Sequence, residues 1–267
     1  MTLLNHALRA GHAHARTTQA PPVTALVAGG GGALGSAVLE ALLAGRRFAH
    51  VKVLATRALG TAMQGLEPVV VDDFGPAPTP AAPPIADAAV IVYDRERHAN
   101  GRELAFLRPA PQDLTVHATW LRQRGVRTLL VVMPHAPAAL PDALKAGLAN
   151  LDEQAVAAMG FEQLVFVRSA QAPTTARAAP WLQRLADGLL AQMRLMVASP
   201  NQPVRVAKVA QFVAELALQL GHATPGTRVA PPELVWQAAQ WRDPAPLIQA
   251  WLAARELPAL SAPRRRW

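Results

Sequence analysis

The chain has no cysteine, a single tyrosine (Tyr93) and only three lysines (Lys52, Lys145, Lys208) among its 26 Lys and Arg residues. Without cysteine there is no thiol nucleophile, no CxxC redox pair, no cysteine-ligated zinc and no cysteinyl iron–sulfur cluster. No apolar run approaches the ~20 residues that a membrane-spanning helix needs, so no membrane partner is expected. Residues 1–21 carry Arg9, Arg16, His6, His12 and His14 and no acid, and they lack the apolar centre of a secretory signal. They have some likeness to a transit peptide, but a flexible leader is the expectation, in a soluble, cytoplasmic protein. Nor does any His/carboxylate spacing suggest a metal: His12 and His14 stand in that leader without partners.

What the chain does have is apolar residues, 51% of 267, which is too many for a disordered chain and enough for a core that needs no disulfides. The net charge of +8 invites a nucleic-acid reading, because clustered cations release counterions from phosphate backbones. Here the cations sit singly or in pairs, apart from the triplet Arg264, Arg265 and Arg266. They read as a solvated arginine-rich surface, and nucleic acid is not an expected partner.

Short apolar runs of strand length recur along the chain: Val23–Ala28, Val51–Ala55, Pro68–Val71, Ala88–Tyr93, Val126–Met133 and Leu164–Val167. Helical periodicity lies between several of them, over about 33–43, 112–124 and 141–159. Such alternation predicts an α/β fold, a Rossmann-like doubly wound parallel sheet. The prolines of 75–86 predict a surface connection, and the polar stretch 94–109 an irregular loop. From about 178 onward the pattern is mostly helical, over 179–197, 206–220 and around Trp236 and Trp251. An edge strand is expected at either Val204–Val206 or Thr227–Val229. The expected organisation is a leader (1–21), a Rossmann-like α/β core (22–177) and a helical C-terminal part (178–267) completing the same domain.

The first strand runs directly into Gly29-Gly30-Gly31-Gly32, and Ala33-Leu34-Gly35 opens the first helix. Gly30-x-Gly32-x-x-Gly35 and Gly29-x-x-Gly32-x-x-Gly35 are both dinucleotide-type spacings. Such glycines turn tightly off a strand, let backbone N–H groups approach a pyrophosphate and pack helix on sheet. NAD-selective sites place a carboxylate about 20 residues further on, to bind the ribose 2′-hydroxyl. This chain has no Asp or Glu between Glu40 and Glu67, and it has Thr56-Arg57 in that position, near Arg46, Arg47 and Lys52. A guanidinium there suits a 2′-phosphate, so NADP(H) is favoured over NAD(H).

From Val23 to about Arg168 the chain resembles the atypical short-chain dehydrogenase/reductase superfamily. It is nearest the NAD(P)H-binding group of NmrA-type redox sensors and Tat-interacting-protein-type reductases. The residues that carry the resemblance are Ala28 to Gly35, Thr56-Arg57, Val71-Asp72-Asp73-Phe74, Glu153 to Val156 with Gly160-Phe161, and Val165 to Arg168. It implies that Asp72 or Asp73 lies near the adenine. Enzymes of the superfamily use a serine, a tyrosine and a lysine four residues after that tyrosine, the tyrosine moving the carbonyl proton. Here the matching tyrosine and lysine positions hold Lys145 and Ala149, the serine is replaced around Met133-Pro134-His135, and Tyr93 closes the wrong strand. The expected function is an NADP(H)-binding module, cofactor-binding or redox-sensing, without tyrosine-dependent chemistry. The alternative is an NADPH-dependent reductase of a small carbonyl or quinone, with His135 or Lys145 as substitute proton donors. The charged run Asp94 to His98 reads as a solvated loop.

Overall fold

A computed structural model of the chain describes residues 23–45, 47–58, 65–75, 83–94, 105–135, 150–170 and 204–258. The strands are β1 (Thr24–Ala28), β2 (His50–Ala55), β3 (Leu66–Val70), β4 (Ala88–Val92), β5 (Thr128–His135), β6 (Gln163–Ala170) and β7 (Gly226–Ala230). They form one sheet in the order β3-β2-β1-β4-β5-β6-β7, with every neighbouring pair parallel. The helices are α1 (Ala33–Ala44), α2 (Leu114–Gln123), α3 (Leu151–Ala157), α4 (Val206–Leu220), α5 (Pro232–Gln240) and α6 (Ala245–Leu252). A short 3-10 turn, Pro111–Asp113, leads into α2.

A parallel sheet covered on both faces needs strands that are apolar throughout, and β4, AAVIV, is buried along its whole length. Successive side chains then point to opposite layers. Val27, Val53, Val90, Val132 and Val165 pack with α1, α4, α5 and α6. Leu26, Leu54, Ile91, Val131 and Phe166 pack on the other face, against α2 and α3. The edge strand β3 keeps Glu67, Pro68 and Val70 exposed, which is where a proline costs no ladder bond.

α1 buries Leu34, Val38, Leu39 and Leu42 along one stripe. It packs lengthwise on α4, which α5 and α6 cover in turn. With neighbours on several sides, α4 is buried on most of its circumference. Its Glu215 accepts two bonds from the Arg47 guanidinium, at 2.5 and 3.3 Å, and so ties the exit of α1 to the C-terminal helices. On the other face Asn150 caps α3, its Oδ1 accepting from the Glu153 N–H at 2.9 Å.

The structure corrects some expected boundaries. β5 does not stop at Met133: Pro134 and His135 continue the ladder, opposite Ser169 and Ala170. β4 has already ended by then, so among the described residues no ladder bond on that side is lost to the missing N–H of Pro134. His135 is therefore the last residue of β5. Of the two expected edge strands, the one at 227–229 joins the sheet, as β7 beside β6. The helix expected over 141–159 is described only as α3, and the one over 179–197 lies outside the described residues, as do residues 1–21 and Lys145. Among the described residues no helix is long and apolar enough to cross a membrane.

Candidate functional site

β1 and β4 are neighbours in the sheet, but the chain leaves β1 toward β2 on one side and reaches β4 on the other. The carboxyl end of β1 is therefore the switch point of the topology, where open parallel sheets form a ligand crevice. Gly29 to Gly32 turn the chain there into α1. Gly29 has φ +93°, in the left-handed region, and a Cβ on it would collide with the carbonyl oxygen of Val92. A Cβ on Gly35 would overlap the carbonyl oxygen of Gly29, so the first turn of α1 lies directly on the glycine turn. Gly32 is the N-cap of α1, with extended backbone and no side chain to accept from the helix. Ser36 bonds back to it, N–H to the Gly32 carbonyl at 2.9 Å and hydroxyl to the same oxygen at 2.7 Å.

Asp94 supplies what the glycine cap lacks. Its Oδ2 accepts from the Leu34 N–H at 2.5 Å, across 60 residues of sequence. The side chain lies over Gly32, where any Cβ would overlap it. The solvated-loop reading is thus wrong for Asp94, which is half-buried; Arg95 to His98 lie outside the described residues.

The other expected site residues are distributed as follows. Thr56 and Arg57 follow β2 and are both exposed. The Thr56 N–H and hydroxyl both donate to the Ala105 carbonyl, at 2.8 and 3.3 Å. Leu107 N–H donates to the Leu54 carbonyl at 2.9 Å, and Ala55 and Phe106 form an antiparallel bridge. The segment from Ala105 to Leu107, expected to be irregular, is therefore strapped to the end of β2. Asp72 and Asp73 are exposed beyond β3, and Asp73 Oδ1 accepts from Gly75 N–H in a local turn.

Tyr93 follows β4 directly, its N–H donating to the Val132 carbonyl at 3.0 Å. Its ring lies in the core layer shared with α2 and α3, opposite the layer that holds α1. The hydroxyl is buried without a hydrogen-bond partner among the described residues. Burial, and next the carboxylates of Asp113 and Asp152, push its pKa far above the ordinary phenol value. His117 on α2 is buried in the same layer, 4.5 Å edge-on from the Phe74 ring, and burial lowers its pKa. Glu153 and Arg168, noted in the sequence only as separate halves of a pattern, form a fully buried ion pair at 2.8 Å between α3 and β6.

The start of α1 fits an anionic group: its Leu34 N–H already holds the Asp94 carboxylate, in the space that the missing side chain of Gly32 leaves. The fold is Rossmann-like. No family model and no curated protein matches the sequence. Among solved structures, the chain is similar to the Bordetella bronchiseptica enzyme WbmG in complex with NAD, with 16% identity over 93% of this chain and 84% of that chain, at a TM-score of 0.46. It is also similar to a Rossmann-fold NAD(P)-binding family protein from Shigella flexneri, with 11% identity over 78% of this chain and 92% of that one, at a TM-score of 0.43. A third is the oxidoreductase ylbE from Lactococcus lactis, with 11% identity over 80% and 95%, at 0.40.

Proposed function

We propose that this chain binds a nicotinamide dinucleotide at the glycine turn, prefers NADP(H), and serves as a cofactor-binding or redox-sensing module rather than a tyrosine-dependent reductase. The observation that carries the reading is the β1–glycine turn–α1 unit at the switch point between β1 and β4, where one backbone donor of the first helical turn, the Leu34 N–H, already bonds a carboxylate. Gly29 to Gly32, Ala33, Leu34 and Gly35 would hold the pyrophosphate. Thr56 and Arg57, at the end of β2, would meet the 2′-phosphate, and Asp72 and Asp73, at the end of β3, the adenine side. A bound nicotinamide would supply a hydride.

Two features support the preference and the missing chemistry. The end of β2 offers an exposed guanidinium and no carboxylate, which favours a 2′-phosphate over a free ribose hydroxyl. The one phenol of the chain is buried in the opposite core layer, and burial raises its pKa, which supports a reading without proton transfer from Tyr93 to a carbonyl at the crevice.

Titration of the full chain with NADPH and NADH, read by calorimetry, tests the proposal. Arg57→Ala should weaken NADPH by about tenfold, at the low end for a charge-assisted bond because Arg57 is exposed, and leave NADH within about twofold. Equal losses for the two nucleotides would remove the 2′-phosphate role. No binding of either nucleotide by the wild-type chain or by an Asp94→Ala variant would refute the cofactor assignment.

A further inference from the structure

We propose that Asp94 is the chain's own occupant of the anion-binding end of α1, and that a nucleotide binds at the glycine turn only by displacing it. The inference rests on the dinucleotide reading above and adds the residue that sets the affinity of that site.

The first turn of α1 contains no acidic residue and its N-cap is a glycine, so the helix has no acceptor of its own for its first N–H groups. The Leu34 N–H is satisfied instead by a carboxylate brought from the end of β4. Asp94 lies in the space that the missing side chain of Gly32 leaves open. A carboxylate and a phosphate ask the same thing of a helix N-terminus, namely oxygen anions accepting charge-assisted bonds from backbone N–H groups. One N–H cannot serve both at full strength, and two anions brought into contact there repel each other. The pyrophosphate and the Asp94 carboxylate therefore compete for one donor.

The backbone leading to Asp94 is held firmly. β4 is paired to β5 up to Val92 and Val132, and Tyr93 N–H extends that ladder by one bond. The element free to move is the Asp94 side chain itself. It is half-buried, with a solvent side into which a rotamer change can carry the carboxylate. Asp94 thus acts with opposite signs in the two states: it stabilises α1 in the nucleotide-free protein and lowers the affinity of the site it occupies.

The test uses the full chain as wild type, Asp94→Ala and Asp94→Asn. Each is titrated with NADPH by calorimetry and melted without nucleotide. Asp94→Ala should bind NADPH about ten- to a hundredfold more tightly, because no charge-assisted bond has to be surrendered, and should melt at a lower temperature when nucleotide-free. Asp94→Asn keeps an acceptor and sheds the charge, so it should show a smaller gain in affinity with a smaller loss in melting temperature. It also carries the test if the alanine variant does not fold. If the wild type binds NADPH and both variants bind it equally or less tightly, the competition is overturned and Asp94 contacts the nucleotide or only caps the helix. If no form binds NADPH, the dinucleotide reading itself fails, and the displacement role of Asp94 fails with it.

Discussion

Replacing Glu153 with glutamine removes one charge from the most deeply buried ion pair described in the chain. The side chains of Glu153 and Arg168 are 0% and 3% exposed, and their nearest atoms are 2.8 Å apart. Glu153 lies in the first turn of α3 and Arg168 near the end of β6, so the pair joins helix to sheet at the carboxyl edge of the strands. At about 4 Å between charge centres and an effective dielectric near 20, the Coulomb attraction is about 4 kcal/mol. That is in line with the ~3–5 kcal/mol lost when one partner of a buried pair is removed and the other stays charged. For a chain of this size such a loss lowers the melting temperature by roughly 6–20 °C. Urea unfolding followed by far-UV circular dichroism should show a lower midpoint at unchanged slope for Glu153→Gln, and the same for Arg168→Met. The double variant Glu153→Leu/Arg168→Met should recover part of the loss, because neither member of the pair is then left buried without the other. Salt should change the single-variant deficits little, since buried charges are poorly screened. A loss below about 1 kcal/mol in either single variant would refute the reasoning, since that is what an exposed ion pair contributes.

Two buried groups give pH-dependent predictions of opposite sign. The folded-state pKa of Tyr93 lies above its unfolded value, so its contribution to stability is full below about pH 10 and is lost as pH rises beyond it. Tyr93→Phe should be as stable as the wild type or more so near neutrality, having lost a buried hydroxyl with no partner among the described residues, and its urea midpoint should fall less between pH 9 and 11; parallel alkaline slopes would contradict this. Burial holds the His117 pKa below its unfolded value, the Asp113 carboxylate opposing in part, so its contribution is present above about pH 6.5 and is lost as pH falls through the folded pKa. The urea midpoint of His117→Leu should therefore fall less than that of the wild type between pH 7 and 5, and identical slopes would show that His117 is not protonated on acid unfolding.

Local signals carried the fold a long way. Strand-length apolar runs and helical stripes placed β1, β2, β4, α1 and α4 within a residue or two, because a parallel sheet buried on both faces makes its strands read as apolar blocks. The errors came where a long-range partner decides. Pro134 reads as a strand breaker, yet β5 runs past it because β4 ends first and leaves that side without a ladder. The 204–206 and 227–229 segments both looked extended, and only the open edge of β6 selects the second. The strap from Ala105 to Leu107 takes its bonds from Leu54 and Thr56, half a hundred residues away, and nothing in its own composition announces them.

The site shows the same division more sharply. The glycine turn was legible because strand, turn and helix are contiguous; Asp94 was not, although two signals point to it in retrospect. α1 starts from a glycine cap with no acid in its first turn, and an acid follows the strand beside β1. The glycines themselves answer to the chain's own packing. Gly29 meets Val92, Gly35 meets Gly29 and Gly32 meets Asp94, each too closely for a Cβ. A bulky substitution at Gly32 would therefore disturb the Asp94 cap whether or not a nucleotide ever binds, and loss of binding in such a variant would not identify a phosphate contact. The glycine pattern establishes that the turn is tight. What distinguishes a nucleotide site from a turn closed by its own carboxylate is how binding responds when Asp94 is removed while all the glycines remain.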